Sequence, residues 1–377
     1  MARSDNLRKA KSAKNDEFYT DINDIIMELA QHKDYVRQFQ GKTVFCNCDD
    51  PESSAFVEFF RKFYPKFGLR KIIATHYNKD GSPSYKLEWE GEKLKGDTIN
   101  MVKTPLEGNG DFRSPECIEL LKEADIVVTN PPFSLWREYV ELLEKYHKKY
   151  VIIGSKNAIA YKEIFPLMRD GKLFIGYNAG HGTMKFATVP NGKPERSVPS
   201  YWYTNLDLNK RHEPLMLTKN YHGNETRYPH YDNYDAIECG KVEYIPKDYL
   251  PCWYRCQHAG ECEYAKKEAD GTPLCEQNKY DDLPTHGKCS GAIGVPLTYL
   301  SCHCEDMFDI LWKSGDIEWC RSDDCTIFSP PDKEKIAAFK KQNRTWRVQN
   351  PYIVDSQGKA HTTYNRIFIR RKPDSPE

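Results

Sequence analysis

Four consecutive residues, Asn130-Pro131-Pro132-Phe133, combine groups that can act together on a planar amine. The exocyclic amine of adenine is a poor nucleophile because its lone pair is delocalised into the ring, and a side-chain amide poses a similar problem. An Asn side-chain oxygen and a backbone carbonyl can each accept one of the two N–H bonds of such an amine. That pairing draws the nitrogen toward tetrahedral geometry and aims its lone pair at an electrophile. Two prolines stiffen the turn, so both acceptors are positioned before the substrate arrives. The aromatic ring in fourth place offers a stacking surface, worth about 1–3 kcal/mol per base in single-strand binders. Two near matches lack the combination: Ser329-Pro330-Pro331-Asp332 has no aromatic, and Asn350-Pro351-Tyr352 has a single proline.

The surrounding text decides whether those four residues form a site or a plain turn. They follow the apolar run Asp125–Thr129 and precede a segment in which Trp136, Tyr139, Val140, Leu142 and Leu143 recur at helical spacing. A strand that runs into a helix places the turn at a strand carboxyl end, where α/β sheets bind ligands. Similar short apolar runs at 43–46, 71–74 and 150–154 alternate with helical segments, one of them carrying Ala55, Phe56, Phe59 and Phe60. This alternation between 42 and 177 predicts an α/β domain with a doubly wound sheet. Segments 172–175, 184–189 and 200–204 are strand-like and joined by turn-rich text, so they predict antiparallel strands closing one edge. Beyond about 235 the alternation fades, and a second module is expected there.

Bulk properties narrow the class without naming a partner. The 377 residues carry 55 basic and 55 acidic side chains, so any nucleic-acid surface has to be a local patch. Residues 1–15 form a basic arm (Arg3, Arg8, Lys9, Lys11 and Lys14), either a solvated tail or a phosphate contact. No apolar run approaches the roughly 20 residues that span a bilayer, and the first residues lack the apolar stretch of a signal peptide. The expectation is a cytoplasmic protein whose 13 cysteines serve as thiols or metal ligands.

Asp16-Glu17-Phe18-Tyr19-Thr20, Cys46-Asn47-Cys48-Asp49-Asp50-Pro51 and Asn130-Pro131-Pro132-Phe133 together carry a family resemblance. Residues 15–205 resemble the S-adenosylmethionine-dependent amino-methyltransferases, and in detail the EcoRI-type DNA adenine methyltransferases. A weaker likeness continues through Ile293–Thr298. The resemblance implies a Rossmann-like methyltransferase sheet over 16–235 and a target-recognition region over 236–377. It implies S-adenosylmethionine as cofactor, double-stranded DNA as partner, and adenine N6 as the methyl acceptor. Because that amine is paired inside a duplex, the base must be flipped out. Phe18, Tyr19 and Thr20 would then close over the methionine end, where an aromatic face beside a sulfonium is favourable by roughly 0.5–2 kcal/mol. Asp49 and Asp50 would serve the cofactor's amino group or ribose, Cys46 and Asn47 would add backbone contacts, and Asp111 and Phe112 would hold its adenine. Asp49-Asp50-Pro51 also suits a helix N-terminus, Gly108-Asn109-Gly110 a surface turn, and Asp16–Thr20 a hydrophobic staple. The family often has an acidic residue for the ribose after the second strand; this chain has Thr75-His76-Tyr77 there.

The insert at about 250–290 lies outside that resemblance. Cys252, Cys256, Cys262, Cys275 and Cys289 fall in text too poor in apolar residues to bury a core, so a metal could supply the folding energy. Cys256, Cys262, Cys275 and Cys289 are the preferred structural zinc ligands, with Cys252 as a substitute. Unligated thiols are the competing reading. A second set, Cys302, Cys304, Cys320 and Cys325, is the weaker candidate. No nuclease constellation is evident, so a restriction system would need a separate endonuclease; a solitary methylase fits equally. Competing functions are methylation of RNA adenine or protein glutamine, or a silent zinc-containing DNA-binding module.

Overall fold

The computed structural model describes residues 19–90, 101–177, 183–189, 192–251, 290–315, 328, 331–342, 347–363, 365–373 and 375. The basic arm, Phe18 and Cys252, Cys256, Cys262, Cys275 and Cys289 lie outside the described residues, as do Cys320 and Cys325. Two compact units emerge. One comprises Met1–Met168 with Lys172–Asn209, the other Arg169–Gly171 with Lys210–Glu377. The sequence placed the boundary near 235.

The first unit is built on an eight-stranded sheet of order β4-β3-β2-β1-β5-β6-β10-β7. Its centre is four parallel strands: β1 (Thr43–Cys46), β2 (Lys71–Thr75), β5 (Ile126–Thr129) and β6 (Lys149–Ser155). They are buried on both faces, which is why they read as unbroken apolar runs. Val44, Cys46, Ile72, Ala74, Ile126 and Val128 share one apolar cluster with Phe56, Phe59 and Phe60 of helix α2 (Ala55–Phe67) and with Ile25 and Leu29 of α1 (Ile22–Leu29). The alternate residues Phe45, Ile73 and Val127 are equally buried. This mixed α/β sheet is the Rossmann-like arrangement that the sequence predicts.

The edges are antiparallel. On one side are β3 (Tyr85–Glu90) and β4 (Val102–Pro105), which the sequence analysis does not anticipate. On the other, β10 (Ser200–Thr204) joins β6, and β7 (Phe174–Ile175) joins β10. β8 (Met184–Phe186) pairs with β9 (Arg196–Val198) in a separate two-stranded sheet and so does not extend the main edge.

The chain moves from β1 to β2 in one direction and then returns to β5 and β6 on the other side of β1. The sheet therefore has its switch point between β1 and β5, and a crevice opens outside the carboxyl ends of these strands. Helix α3 (Pro115–Glu123) leads into β5, and α4 (Trp136–Lys145) leads from β5 to β6. Ser114 caps α3 by accepting from the Cys117 N–H, and Pro115 opens it.

The second unit has its own core. β11 (Ala236–Glu238), β12 (Ala292–Pro296), β13 (Phe308–Lys313) and β16 (Arg366–Arg371) form a sheet of order β11-β12-β16-β13. Tyr231, Tyr234, Trp312 and Phe368 pack against it, with Tyr234 stacked on Phe368 at 4.6 Å. Arg366 forks onto the Glu238 carboxylate at 2.6 and 3.0 Å, so this half-buried charge pair is satisfied. Between β13 and β16, β14 (Tyr352–Val354) and β15 (Ala360–Thr362) make a hairpin, and Phe339 of α5 (Lys333–Gln342) packs on Tyr352 at 4.9 Å.

The position of α4 depends on one close approach. Trp136 is fully buried and donates its indole N–H to the Ile153 carbonyl at 2.9 Å. The ring lies directly over Gly154, where a Cβ would stand 2.3 Å from the indole nitrogen. Gly154→Ala must therefore push Trp136 and α4 off β6. We expect a loss of about 1–3 kcal/mol, read as a lower urea midpoint by tryptophan fluorescence. An unchanged midpoint would contradict this packing.

Candidate active site

A cavity of about 280 Å³ lies at the carboxyl ends of β1, β2 and β5. It draws its walls from five sequence-distant pieces. The β1 turn supplies Asn47, Cys48, Asp49 and Asp50, and the end of β2 supplies His76, Tyr77 and Lys79. The loop before α3 supplies Gly110, Asp111, Phe112 and Arg113, and the end of β5 supplies Asn130, Pro131, Pro132 and Leu135. Tyr19 closes the list from the N-terminal segment.

Of the residues singled out in the sequence, Tyr19, Asn47, Asp49, Asp50, Asp111, Phe112, Asn130, Pro131 and Pro132 thus meet in one cavity. Three others are elsewhere. Thr20 is buried but does not line the cavity, and Cys46 points into the apolar cluster below the sheet. Phe133 is partly buried against that same cluster. Tyr19 is fixed by its backbone, which exchanges two 3.0 Å hydrogen bonds with Ala187.

The β1 turn and the β5 turn are locked to each other. Tyr139 of α4, wholly buried, donates its hydroxyl proton to Asn47 Oδ1. The Cys48 thiol also reaches that oxygen, at 3.5 Å. With its oxygen so engaged, Asn47 offers the cavity its amide N–H groups, which suit an acceptor such as a carboxylate. Burial, with Asp49 nearby, pushes the Cys48 thiol well above its usual range, so it stays protonated and non-nucleophilic. Asn130 is 7% exposed and follows β5, with Leu135 N–H donating to the Pro132 carbonyl at 3.0 Å to close the turn.

The carboxylates are individually oriented. Asp50 Oδ1 accepts from the Tyr85 hydroxyl at 2.9 Å and from the Glu52 N–H at 3.1 Å. Ser54 donates to Asp49 at 3.3 Å. Asp111 is held by Arg113 through Nε, Nη2 and the backbone N–H, at 2.9, 2.7 and 2.9 Å. The Arg113 guanidinium accordingly keeps the Asp111 carboxyl below the usual carboxylate range. Phe112 packs edge-on against Tyr139 at 5.0 Å and so continues the same buried wall. Gly110 has a φ of +80°, and a Cβ there would fall 1.8 Å from the His76 carbonyl oxygen. Only glycine lets this loop close on the end of β2.

Oriented acceptors, aromatic surfaces and a buried amide suit an adenosine bearing hydroxyls, an amine and a cationic centre. The sequence analysis missed Tyr139, which reads as a core residue of an amphipathic helix. It also missed Arg113, although its spacing of two from Asp111 is a signal for a local ion pair. Elsewhere, in the second unit, His212, Glu305 and Asp306 cluster closely enough to hold an ion. Both imidazole nitrogens are already directed at carboxylates there, Nδ1 to Asp306 at 3.0 Å and Nε2 to Glu305 at 3.7 Å. Six described cysteines, among them Cys239, Cys302 and Cys304, are free thiols.

Tyr139→Phe keeps the ring packing and removes the bond to Asn47. We expect ligand affinity of the cavity to fall about five- to tenfold, equivalent to one net hydrogen bond, and the melting temperature to drop as well, because the buried Asn47 oxygen keeps only a weak thiol donor. Calorimetric titration of S-adenosylmethionine reads this directly; wild-type affinity in the variant would show that the bond does not orient Asn47.

Comparison with known proteins agrees with this geometry. A sequence model of the family described as adenine-specific methyltransferase EcoRI matches residues 6–252. Type II methyltransferase M.EcoRI of Escherichia coli is 44% identical over 269 residues, covering 64% of this chain and 81% of that protein. Type II methyltransferase M.MpnI of Mycoplasma pneumoniae is 34% identical over 319 residues, covering 80% of this chain and 84% of that one. Type II methyltransferase M.MgeORF184P of Mycoplasma genitalium is also 34% identical, over 321 residues. No solved structure matches. With the cavity, the Asn130–Phe133 turn and a match over more than half its length, the chain belongs to the EcoRI adenine-specific methyltransferase family.

Proposed function

We propose that this DNA adenine methyltransferase modifies N6 of an adenine flipped out of double-stranded DNA, with Asn130 and the Pro131–Pro132 backbone as amine acceptors. S-adenosylmethionine, when bound, supplies an electrophilic methyl group on a sulfonium. The chain's own residues do the rest. The Asn130 side-chain oxygen accepts one N6–H bond and a carbonyl of the proline turn accepts the other. Phe133, which packs partly on the apolar cluster and does not line the cavity, would have to turn toward the extruded base to stack on it and offset part of the stacking lost on flipping. Tyr19, Asn47, Asp49, Asp50, Asp111 and Phe112 hold the cofactor. The observation that carries this reading is that Asn130 and these residues, far apart in sequence, line one cavity at the sheet's switch point.

The second unit, with its separate aromatic core, is proposed to read the DNA sequence. Cys256, Cys262, Cys275 and Cys289 are proposed to hold a structural zinc there, on the strength of their composition and spacing alone. The Type II names of the relatives support a role as the modification half of a restriction pair, with cleavage left to a separate endonuclease.

Asn130→Ala should abolish transfer of labelled methyl groups to plasmid DNA, by at least about a hundredfold, while cofactor affinity stays within about twofold of wild type. Retained transfer in this variant, or transfer to RNA or protein and never to DNA, would overturn the assignment. Metal analysis of the purified chain should find one zinc per molecule, and Cys262→Ser should lose it; a zinc-free protein with wild-type stability would remove the zinc proposal.

A further inference from the structure

β2 ends at Thr75, and the next side chain, His76, lines the cavity exactly one residue beyond the sheet. Its surroundings fix the imidazole. The ring stacks on Tyr85 at 5.2 Å and 21°, and the backbone is held at both ends. Its N–H donates to the Tyr85 carbonyl at 3.1 Å, and its own carbonyl accepts from Ser84 Oγ at 2.7 Å. Lys103 sits over the same Tyr85 ring at 3.7 Å, so the stacking partner is itself pinned. Nδ1 is buried, makes no hydrogen bond, and lies 3.7 Å from Asp50 Oδ1. The side chain keeps 26% of its exposure, and Nε2 has no partner among the described residues.

A carboxylate facing Nδ1 favours the tautomer that carries its proton there, which leaves a lone pair on Nε2. That nitrogen then accepts from a hydroxyl. A carboxylate in the place of His76 would also accept, but it would stand against Asp50, and two anions so close disfavour ionisation of both. The imidazole supplies the acceptor without a second charge. We infer that His76, backed by Asp50, accepts a ribose hydroxyl of the bound cofactor, the task for which the family often uses an acidic residue after the second strand. This rests on the S-adenosylmethionine site proposed above. The gap between Nδ1 and Asp50 is wider than a hydrogen bond, and ligand binding at Nε2 is what would draw it shorter.

The test is calorimetric binding of S-adenosylhomocysteine and of its 2′-deoxy and 3′-deoxy forms, which needs no turnover. The wild-type chain should bind one deoxy form about tenfold more weakly than the ribose form. His76→Phe retains the stack on Tyr85 and removes both nitrogens. It should bind the ribose form about tenfold more weakly and no longer distinguish it from that deoxy form. Asp50→Asn should lose part of the same discrimination. His76→Ala provides a second reading should the larger ring disturb the loop, with thermal melts confirming that each variant is folded. A His76 variant that keeps the wild-type preference for ribose, or that weakens all three ligands equally, overturns the inference while leaving the cofactor site standing. Failure of the wild-type chain to bind S-adenosylhomocysteine would instead remove the cofactor reading itself, and this inference with it.

Discussion

The hydrogen bond from Tyr139 to Asn47 joins the two halves of the site. Asn47 follows β1 and belongs to the turn proposed to hold the cofactor; Tyr139 lies on the helix that begins just after Asn130–Phe133. Both groups are buried, so the bond is not exchanged for water, and losing it leaves a desolvated amide oxygen with only a weak thiol donor. A methyl donor and a methyl acceptor must be aligned to within a fraction of an ångström for displacement to be fast. In the proposed site that alignment would be carried by the packed, parallel strands β1 and β5 and by one polar contact between the elements that leave them. Trp136, one turn earlier on α4, anchors that helix to β6 and keeps Tyr139 at its height.

The polar groups around the cavity follow a common pattern. Each carboxylate is already engaged on one side by the protein: Asp50 by Tyr85 and the Glu52 backbone, Asp49 by Ser54, Asp111 by Arg113. These contacts restrict rotation before a ligand arrives, so less ordering is left to binding, and Arg113 favours the ionised form of Asp111. The cost is paid in the backbone at Gly110, where no side chain could stand between the α3 loop and the end of β2. Cys48, half-buried and held protonated in the same wall, contributes shape and not reactivity.

The central strands and the Asn130–Phe133 turn were legible because each is a local signal: a buried parallel strand is a short apolar run, and a two-proline turn stands out. β3 was passed over because its signal is of another kind: Tyr85-Lys86-Leu87-Glu88-Trp89-Glu90 alternates apolar and charged residues at period two, as a half-buried strand does, and forms no unbroken apolar run. The second unit's sheet was hidden differently. β12 and β16 pair across 69 intervening residues, and their apolar runs are short and interrupted by turn-rich text, with a core that is largely aromatic. Within the site, the motif residues were found and their supports were not. Tyr139 has the spacing of a core residue and is one, and its polar role exists only once Asn47 is brought beneath it. His76 was visible as a departure from the family's usual residue, but Asp50 and Tyr85, which give it meaning, come from other strands.

In the proposed mechanism the Asn130 turn holds the N6 amine of a DNA adenine for methyl transfer. Modification-sensitive sequencing of DNA from cells expressing the chain tests it most directly. The account predicts N6-methyladenine at one short recurring sequence, absent from cells expressing Asn130→Ala. Modified cytosine at the recurring sequence, or no modified base in cells containing folded protein, would contradict it.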